Sequence, residues 1–174
     1  MTGSFTAALQ IVLKEEGGFV HDARDPGGAT NLGVTGRTWH SWSGQVPTDE
    51  VMRALTPAKV SPLYKALYWD RIGGDRLSGG LALVVFDFAV NGGPANAVSM
   101  LQGVVGAPRD GRAGPSTLRT TQTFVTAIGL AKLINRFCDA RRDYYASLQT
   151  FPVFGRGWLA RVERVQKEAL TWAG

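Results

Sequence analysis

The segment LSGGLALVVFDFAV, residues 77–90, decides the fold. It is almost wholly apolar, too long for a core strand of about 4–8 residues and too short for a membrane span of about 20. Asp87 breaks the run. Length therefore predicts a central helix buried on every side. Working outward, Asn91-Gly92-Gly93-Pro94 ends that helix, and a short helix follows from Ala95 to about Val105. GAPRDGRAGPST, residues 106–117, reads as a double turn that places Pro115 at the first position of another helix. Ile134, Phe137, Tyr144 and Leu148 share one face of a helix from about Ala131 to Leu148. The last helix, Trp158 to Thr171, carries Trp158, Val162, Val165, Ala169 and Trp172 at spacings of four and three. In the other direction, Thr48-Asp49-Glu50 opens a helical segment, and Pro57 divides it from a stretch running to about Trp69. At the start, Phe5 to Glu16 lines up Phe5, Ala8, Leu9, Val12 and Leu13, with Ser4 or Thr2 to cap it and Gly17-Gly18 to end it. Seven or eight helices make an all-α architecture. The glycine-rich stretch 17–36 after the first helix is a structured loop or a small β-hairpin. No repeat and no low-complexity segment interrupts the pattern.

With 174 residues, 44% hydrophobic and 19% charged, the chain has the size and composition of a globular domain that needs no metal or disulfide staple. Cys138 is the single cysteine, which excludes an intramolecular disulfide. The net charge of +5 is unevenly spread. Residues 1–87 hold 8 Lys/Arg against 9 Asp/Glu, whereas residues 88–174 hold 11 against 5, a net of +6. A basic half attracts a polyanion, be it nucleic acid, anionic lipid or an anionic wall polymer, or it serves solubility alone. Clusters such as Arg141-Arg142 are short and lie among aromatics, unlike a nucleic-acid-binding tail. No Lys or Arg precedes Lys14, so the basic region of a secretory signal peptide is missing, and work outside the cytoplasm requires another component to let the protein out.

Glu16 is the first candidate for chemistry. Its angular position continues the apolar stripe of the first helix, while Glu15 lies about a quarter turn away, toward solvent. A carboxyl on that face, at the negative end of the helix dipole, is disposed to stay protonated as a general acid must; if the helix frays there, Glu16 is simply wet. The loop that follows offers Asp22, Asp25, Thr30, Asn31 and Thr35, with glycines that permit close backbone approach. An acid on a helix end facing an Asp on a loop is a glycosidase arrangement, one group protonating the leaving oxygen and the other serving water or the developing positive charge. The alternative is that Asp22 and Asp25 only bond their own turns. His21, Asp25 and His40 match no zinc-ligand spacing, and neither a nucleophile elbow nor a phosphate-binding loop is present. The site calls for no cofactor and no metal.

LKEEGGFVHDARDPGGATNLGVT, residues 13–35, resembles the signature of glycoside hydrolase family 108, in which E-G-G-[YF] precedes D-x-G-G-x-T-x-x-G-[IV]-[TS]. Phe19 stands where that family often has tyrosine, keeping the ring without the hydroxyl. The Glu16, Asp25, Thr30 order is also similar, within a residue, to that of phage-type lysozymes. YKALYWDRIGGDRLSGGLALVVFDFAVNGG resembles the middle of the family, with Tyr64, Tyr68, Trp69, Asp87 and Asn91 as recurring residues. AVSMLQGVVGAPRDGRAGPSTL looks like the peptidoglycan-binding module that accompanies the hydrolase, with Leu101-Gln102, Asp110-Gly111, Gly114 and Thr117, and FGRGWLARVERV like its closing stretch. The likeness covers nearly the whole chain.

This resemblance implies a lysozyme-like, mainly helical fold and an endolysin-type N-acetylmuramidase acting on bacterial peptidoglycan. It implies Glu16 as catalytic acid with Asp25 and Thr30 as partners, and Asn31, Tyr64, Tyr68, Trp69 and Asn91 as substrate-binding residues. Tyr64, Tyr68 and Trp69 read equally well as core. Residues 1–90 would form the muramidase region around the active-site loop 17–36, and residues 91–174 a wall-binding module packed on it as one compact unit. The protein would accumulate in the cytoplasm as a monomer, with no stable membrane insertion and no nucleic-acid partner, and would reach the periplasmic wall through a separate holin or export pore. A lytic transglycosylase and a non-catalytic wall-binding or virion structural protein are the competing readings.

Overall fold

The computed structural model describes residues 4–21 and 28–173. Every residue from Gly79 through Ala89 is buried there, in a helix that spans Gly79–Gly92. The described residues hold α1 (Phe5–Glu16), a hairpin of β1 (Thr30–Asn31) and β2 (Val34–Thr35), α2 (Gly36–Ser43), α3 (Asp49–Arg53), α4 (Pro57–Tyr64), α5 (Gly79–Gly92), α6 (Pro94–Val105), α7 (Pro115–Ile128), α8 (Leu130–Ala146) and α9 (Phe151–Thr171). A π-helical turn, Lys65–Trp69, prolongs α4, and a 3₁₀ turn, Gly74–Arg76, precedes α5. The architecture is all-α with one small hairpin, as the helical spacings and the glycine-rich stretch predict. No helix among the described residues is long and apolar enough to cross a membrane.

The chain divides into two compact units, a smaller one of Leu9–Lys65 and a larger one of Met1–Ala8 with Ala66–Gly174. The packing boundary at 65–66 lies inside the region that the sequence assigns to catalysis, so α5 belongs to the larger unit. All of the net charge lies in that unit, which has 13 Lys/Arg against 8 Asp/Glu, whereas the smaller unit has 6 of each.

In the larger unit, α5 packs against α6, α8 and α9. Phe88 on α5 meets Phe137, Tyr144 and Tyr145 of α8 with ring centroids 5.5–6.3 Å apart, the separations at which aromatic pairs attract. Gly80 permits the close approach of α9: a Cβ there would lie 2.1 Å from the Ala169 carbonyl oxygen. Asp87, the charge within the apolar run, is 0% exposed. Its Oδ2 accepts from Arg141 Nη1 at 2.6 Å, and its Oδ1 from Arg161 Nη2 at 2.7 Å and Nε at 2.9 Å. Arg141 also donates from Nε to the Tyr145 hydroxyl at 3.0 Å. Desolvation inside this cluster raises the Tyr145 phenol above its ordinary range. Two of the cations counted in the basic half are thus internal counter-ions and add little to its surface potential.

The double turn before α7 is built around Gln102 of α6. Its Nε2 lies 2.6 Å from Asp110 Oδ1 and 2.9 Å from Thr117 Oγ1, and its Oε1 accepts from the Gly111 amide at 2.9 Å. The Gln102 amide and the backbone N–H of Arg112 hold the Asp110 carboxyl below its usual range. Gln102, Asp110, Gly111 and Thr117 are thereby tied into one structural knot.

One helix and one helix boundary depart from the sequence reading. α2 was not anticipated, because GRTWHSWS has few aliphatic residues to set a helical period. Its signals lie at its ends: Thr35 accepts from the Thr38 amide at 3.2 Å, and Gly44 closes it at φ 73°. α9 begins at Phe151 rather than near Trp158. Pro152 is harmless in a first turn, and Gly155 leaves room for the Phe151 ring, whose carbons lie 2.5 Å from where a Cβ would sit.

Candidate functional site

α1 runs from Phe5 to Glu16, as the apolar stripe predicts, and buries Leu9, Val12 and Leu13. The Ser4 carbonyl accepts from the Ala8 amide at 3.0 Å, while Thr2 lies outside the described residues. Gly17 at φ 78° ends the helix and turns the chain away just after Glu16. Val20 then pairs antiparallel with Thr30 through backbone bonds of 2.7 and 2.8 Å, and Thr30 pairs with Thr35 in the hairpin. Three short chain segments therefore lie side by side beyond the end of α1.

Leu32 and Gly33 form the hairpin's two-residue turn, with φ values of 50° and 71°. Such a turn requires positive φ at both positions, and leucine there carries strain that surrounding contacts must hold. The holding contact is the Tyr64 hydroxyl, which donates to the Leu32 carbonyl at 2.8 Å. Gly33 is crowded as well as left-handed: a Cβ on it would lie 2.5 Å from the Tyr64 hydroxyl and 2.7 Å from Glu16 Oε2. The Glu16 carboxylate, the Tyr64 hydroxyl and the turn thus converge at one spot. Glu15 and Glu16 are both half-buried and both have partners, so helical phase separates them less than the sequence implies. What distinguishes Glu16 is its place over Gly33.

Further contacts fasten this region to α3. Asn31 donates from its side-chain amide to the Met52 carbonyl at 2.8 Å and is buried. Side chains alternate along a strand, so Thr30 faces away from α3. The Arg53 guanidinium lies 3.8 Å from the centroid of the Phe19 ring and 4.0 Å from Asp49. His21 Nδ1 sits 2.9 Å from Asp49 Oδ1. His40, in contrast, meets the Gln45 carbonyl at 2.9 Å, so the two histidines have separate partners. Among the described residues no group of three or more His, Cys, Asp or Glu side chains is gathered as a metal would require. Burial pushes the Cys138 thiol up to about 12, which leaves it inert as a nucleophile.

The structure sorts the predicted site residues. Glu16, Thr30, Asn31 and Tyr64 share the smaller unit, and Asp25, with Asp22, lies outside the described residues. Tyr64 is 1% exposed and positions the turn through its hydroxyl, offering no ring face. Trp69, which the resemblance implies as substrate-binding and which reads equally well as core, is core. It is 0% exposed, packs on Phe5 and Phe86 with centroids 5.4 Å away, and donates from Nε1 to Asp75 at 2.7 Å. Asn91 is exposed near the end of α5 and bonds back to the Asp87 carbonyl at 2.8 Å. Tyr68 is half-buried and lines an open groove of the larger unit. The Leu32–Tyr64 contact and the Arg53–Phe19 stack escape a sequence reading, since each joins residues more than thirty positions apart.

Residues 9–93 match the family described as Glycosyl hydrolase 108. Among solved structures, that of Brucella abortus SagA is similar to this chain at 40% sequence identity and a TM-score of 0.83, covering 97% of this chain and 95% of that one. No curated protein matches the chain.

Proposed function

The chain belongs to the glycosyl hydrolase 108 family, and we propose that it is an N-acetylmuramidase hydrolysing the β-1,4 bond between N-acetylmuramic acid and N-acetylglucosamine in bacterial peptidoglycan. One observation carries this reading: in a chain of that family, the carboxylate ending α1 lies over Gly33 beside the Tyr64 hydroxyl. Glu16 protonates the glycosidic oxygen, and Asp25 with Thr30 orients the attacking water or steadies the oxocarbenium-like transition state. The strained turn and Tyr64 keep the carboxylate in place, since catalysis demands a position held to within a fraction of an ångström. Residues 91–174 bind the wall. The enzyme acts as an endolysin, reaching the periplasm through a separate pore after synthesis in the cytoplasm.

Mass spectrometry of glycan fragments released from purified sacculi tests the reaction type. Hydrolysis leaves muramic acid reducing ends, a transglycosylase leaves anhydro sugars, and a wall-binding protein releases nothing. Only the first outcome upholds the proposal. Gly33→Ala tests the arrangement of the site. Alanine in the left-handed region costs about 1–2 kcal/mol, and its methyl displaces both the Tyr64 hydroxyl and the Glu16 carboxylate. Thermal unfolding should therefore show a modest loss while lysis falls about 10²-fold. Lysis that declines only in step with stability would show that the carboxylate's position over Gly33 is immaterial.

A further inference from the structure

The larger unit carries an open groove of about 690 Å³, within the range of about 300–1,000 Å³ usual for ligand sites. Leu67, Pro94, Ala113 and Tyr68 give it an apolar lining, and Arg71 and Arg112 bring two cations to it. None of the lining residues is acidic. Both arginines are exposed, and neither guanidinium has a hydrogen-bond or ion-pair partner among the described residues. The carboxylate nearest Arg112 in sequence, Asp110, feels its charge but is hydrogen-bonded to Gln102 and to the backbone N–H of Arg112, and Asp70, beside Arg71, is engaged elsewhere. The fork of a guanidinium matches a carboxylate in a bidentate way, which a lysine ammonium does not.

We propose that this groove binds the peptide stem of peptidoglycan, with Arg71 and Arg112 clamping its carboxylates and the apolar lining receiving its alanine methyls. The inference rests on the peptidoglycan reading above and adds a recognition element to it. An uncharged glycan supplies no anion to pair with two guanidinia. A nucleic acid demands a longer cationic track than two arginines. A short peptide carrying several carboxylates between small aliphatic side chains fits both the charge and the lining. Tyr68, named as substrate-binding from the sequence, then contacts the stem and not the sugar.

Calorimetric titration of the full-length chain tests this with four probes: an alanyl-glutamyl-diamino acid tripeptide with free carboxylates, the same peptide as its amide, a peptide-free N-acetylglucosamine oligomer, and inorganic phosphate. The carboxylate peptide should bind about tenfold more tightly than the amide. Arg71→Gln with Arg112→Gln should abolish that preference, and Arg71→Lys with Arg112→Lys should keep part of it. Both side chains are exposed, so matching unfolding curves are expected for all variants. Equal binding of acid and amide, an undiminished preference in the glutamine variant, or displacement of the peptide by an equal concentration of phosphate would overturn the proposal. Binding is read separately from hydrolysis. An inactive chain that prefers the carboxylate peptide defeats the muramidase reading alone, and an active chain without the preference defeats this one alone.

Discussion

Glu16→Gln folds as the native chain does and loses at least about 10²-fold of its wall lysis. Glutamine keeps the shape and the packing over Gly33 but has no proton to give the leaving oxygen, and general acid catalysis contributes roughly 10²–10⁴-fold. Glu15→Gln is the matched control. Both carboxylates are half-buried and both have partners, so burial does not tell them apart. Glu16 lies over the turn that Tyr64 pins, so Glu15→Gln should change lysis little by comparison. The measurement is turbidity loss of purified walls at matched concentrations of folded protein. A near-normal rate for Glu16→Gln with an inactive Glu15→Gln would transfer the acid's role to Glu15. Thr30→Ala should be milder than Glu16→Gln, because the backbone bonds of Thr30 to Val20 persist whatever its side chain.

The largest expected loss of stability comes from Asp87→Asn. The variant leaves Arg141 buried and Arg161 nearly so, with no anion between them. Breaking a buried ion pair by removing one partner typically costs 3–5 kcal/mol, because the remaining charge stays desolvated. Here one carboxylate serves two guanidinia, so the upper part of that range, about 4–5 kcal/mol, is expected. Urea unfolding followed by tryptophan fluorescence measures it. A whole domain is stable by only about 5–15 kcal/mol, so the variant should be partly unfolded at 37 °C. Replacing Asp87, Arg141 and Arg161 together with apolar residues of similar volume should recover much of the loss. A change below about 1 kcal/mol for Asp87→Asn would mean that solvent reaches the cluster.

Several elements could be read before any coordinates because their causes are local. The length and apolarity of residues 77–90 predict α5, since a segment with no polar face has to be enclosed. The stripe from Phe5 to Leu13, with glycines after Glu16, predicts α1 to its last residue. Pro115 and Pro57 mark the starts of α7 and α4, because a ring that fixes φ and lacks an N–H suits a first turn. Where local signals ran against each other, reading failed: Phe151–Gly157 contains a proline and two glycines, yet it is helical, with the Phe151 ring over Gly155.

The sequence by itself determined the helical class, the family signature and Glu16 as the residue to watch. Tertiary structure decided what the signature's residues do. Gly33 is needed for its left-handed φ and for the space that Glu16 and Tyr64 occupy, and Tyr64 holds a strained leucine. Trp69 is core. Asp87 is the counter-ion of two distant arginines, and Gln102 ties up a turn. The physical reason is range. Caps, breakers and hydrophobic periodicity act over a few residues of one segment, whereas burial and ion pairing depend on which distant segments fold together. The Asp87–Arg141 and Asp87–Arg161 bonds span 54 and 74 positions, and no pattern within a single helix contains them.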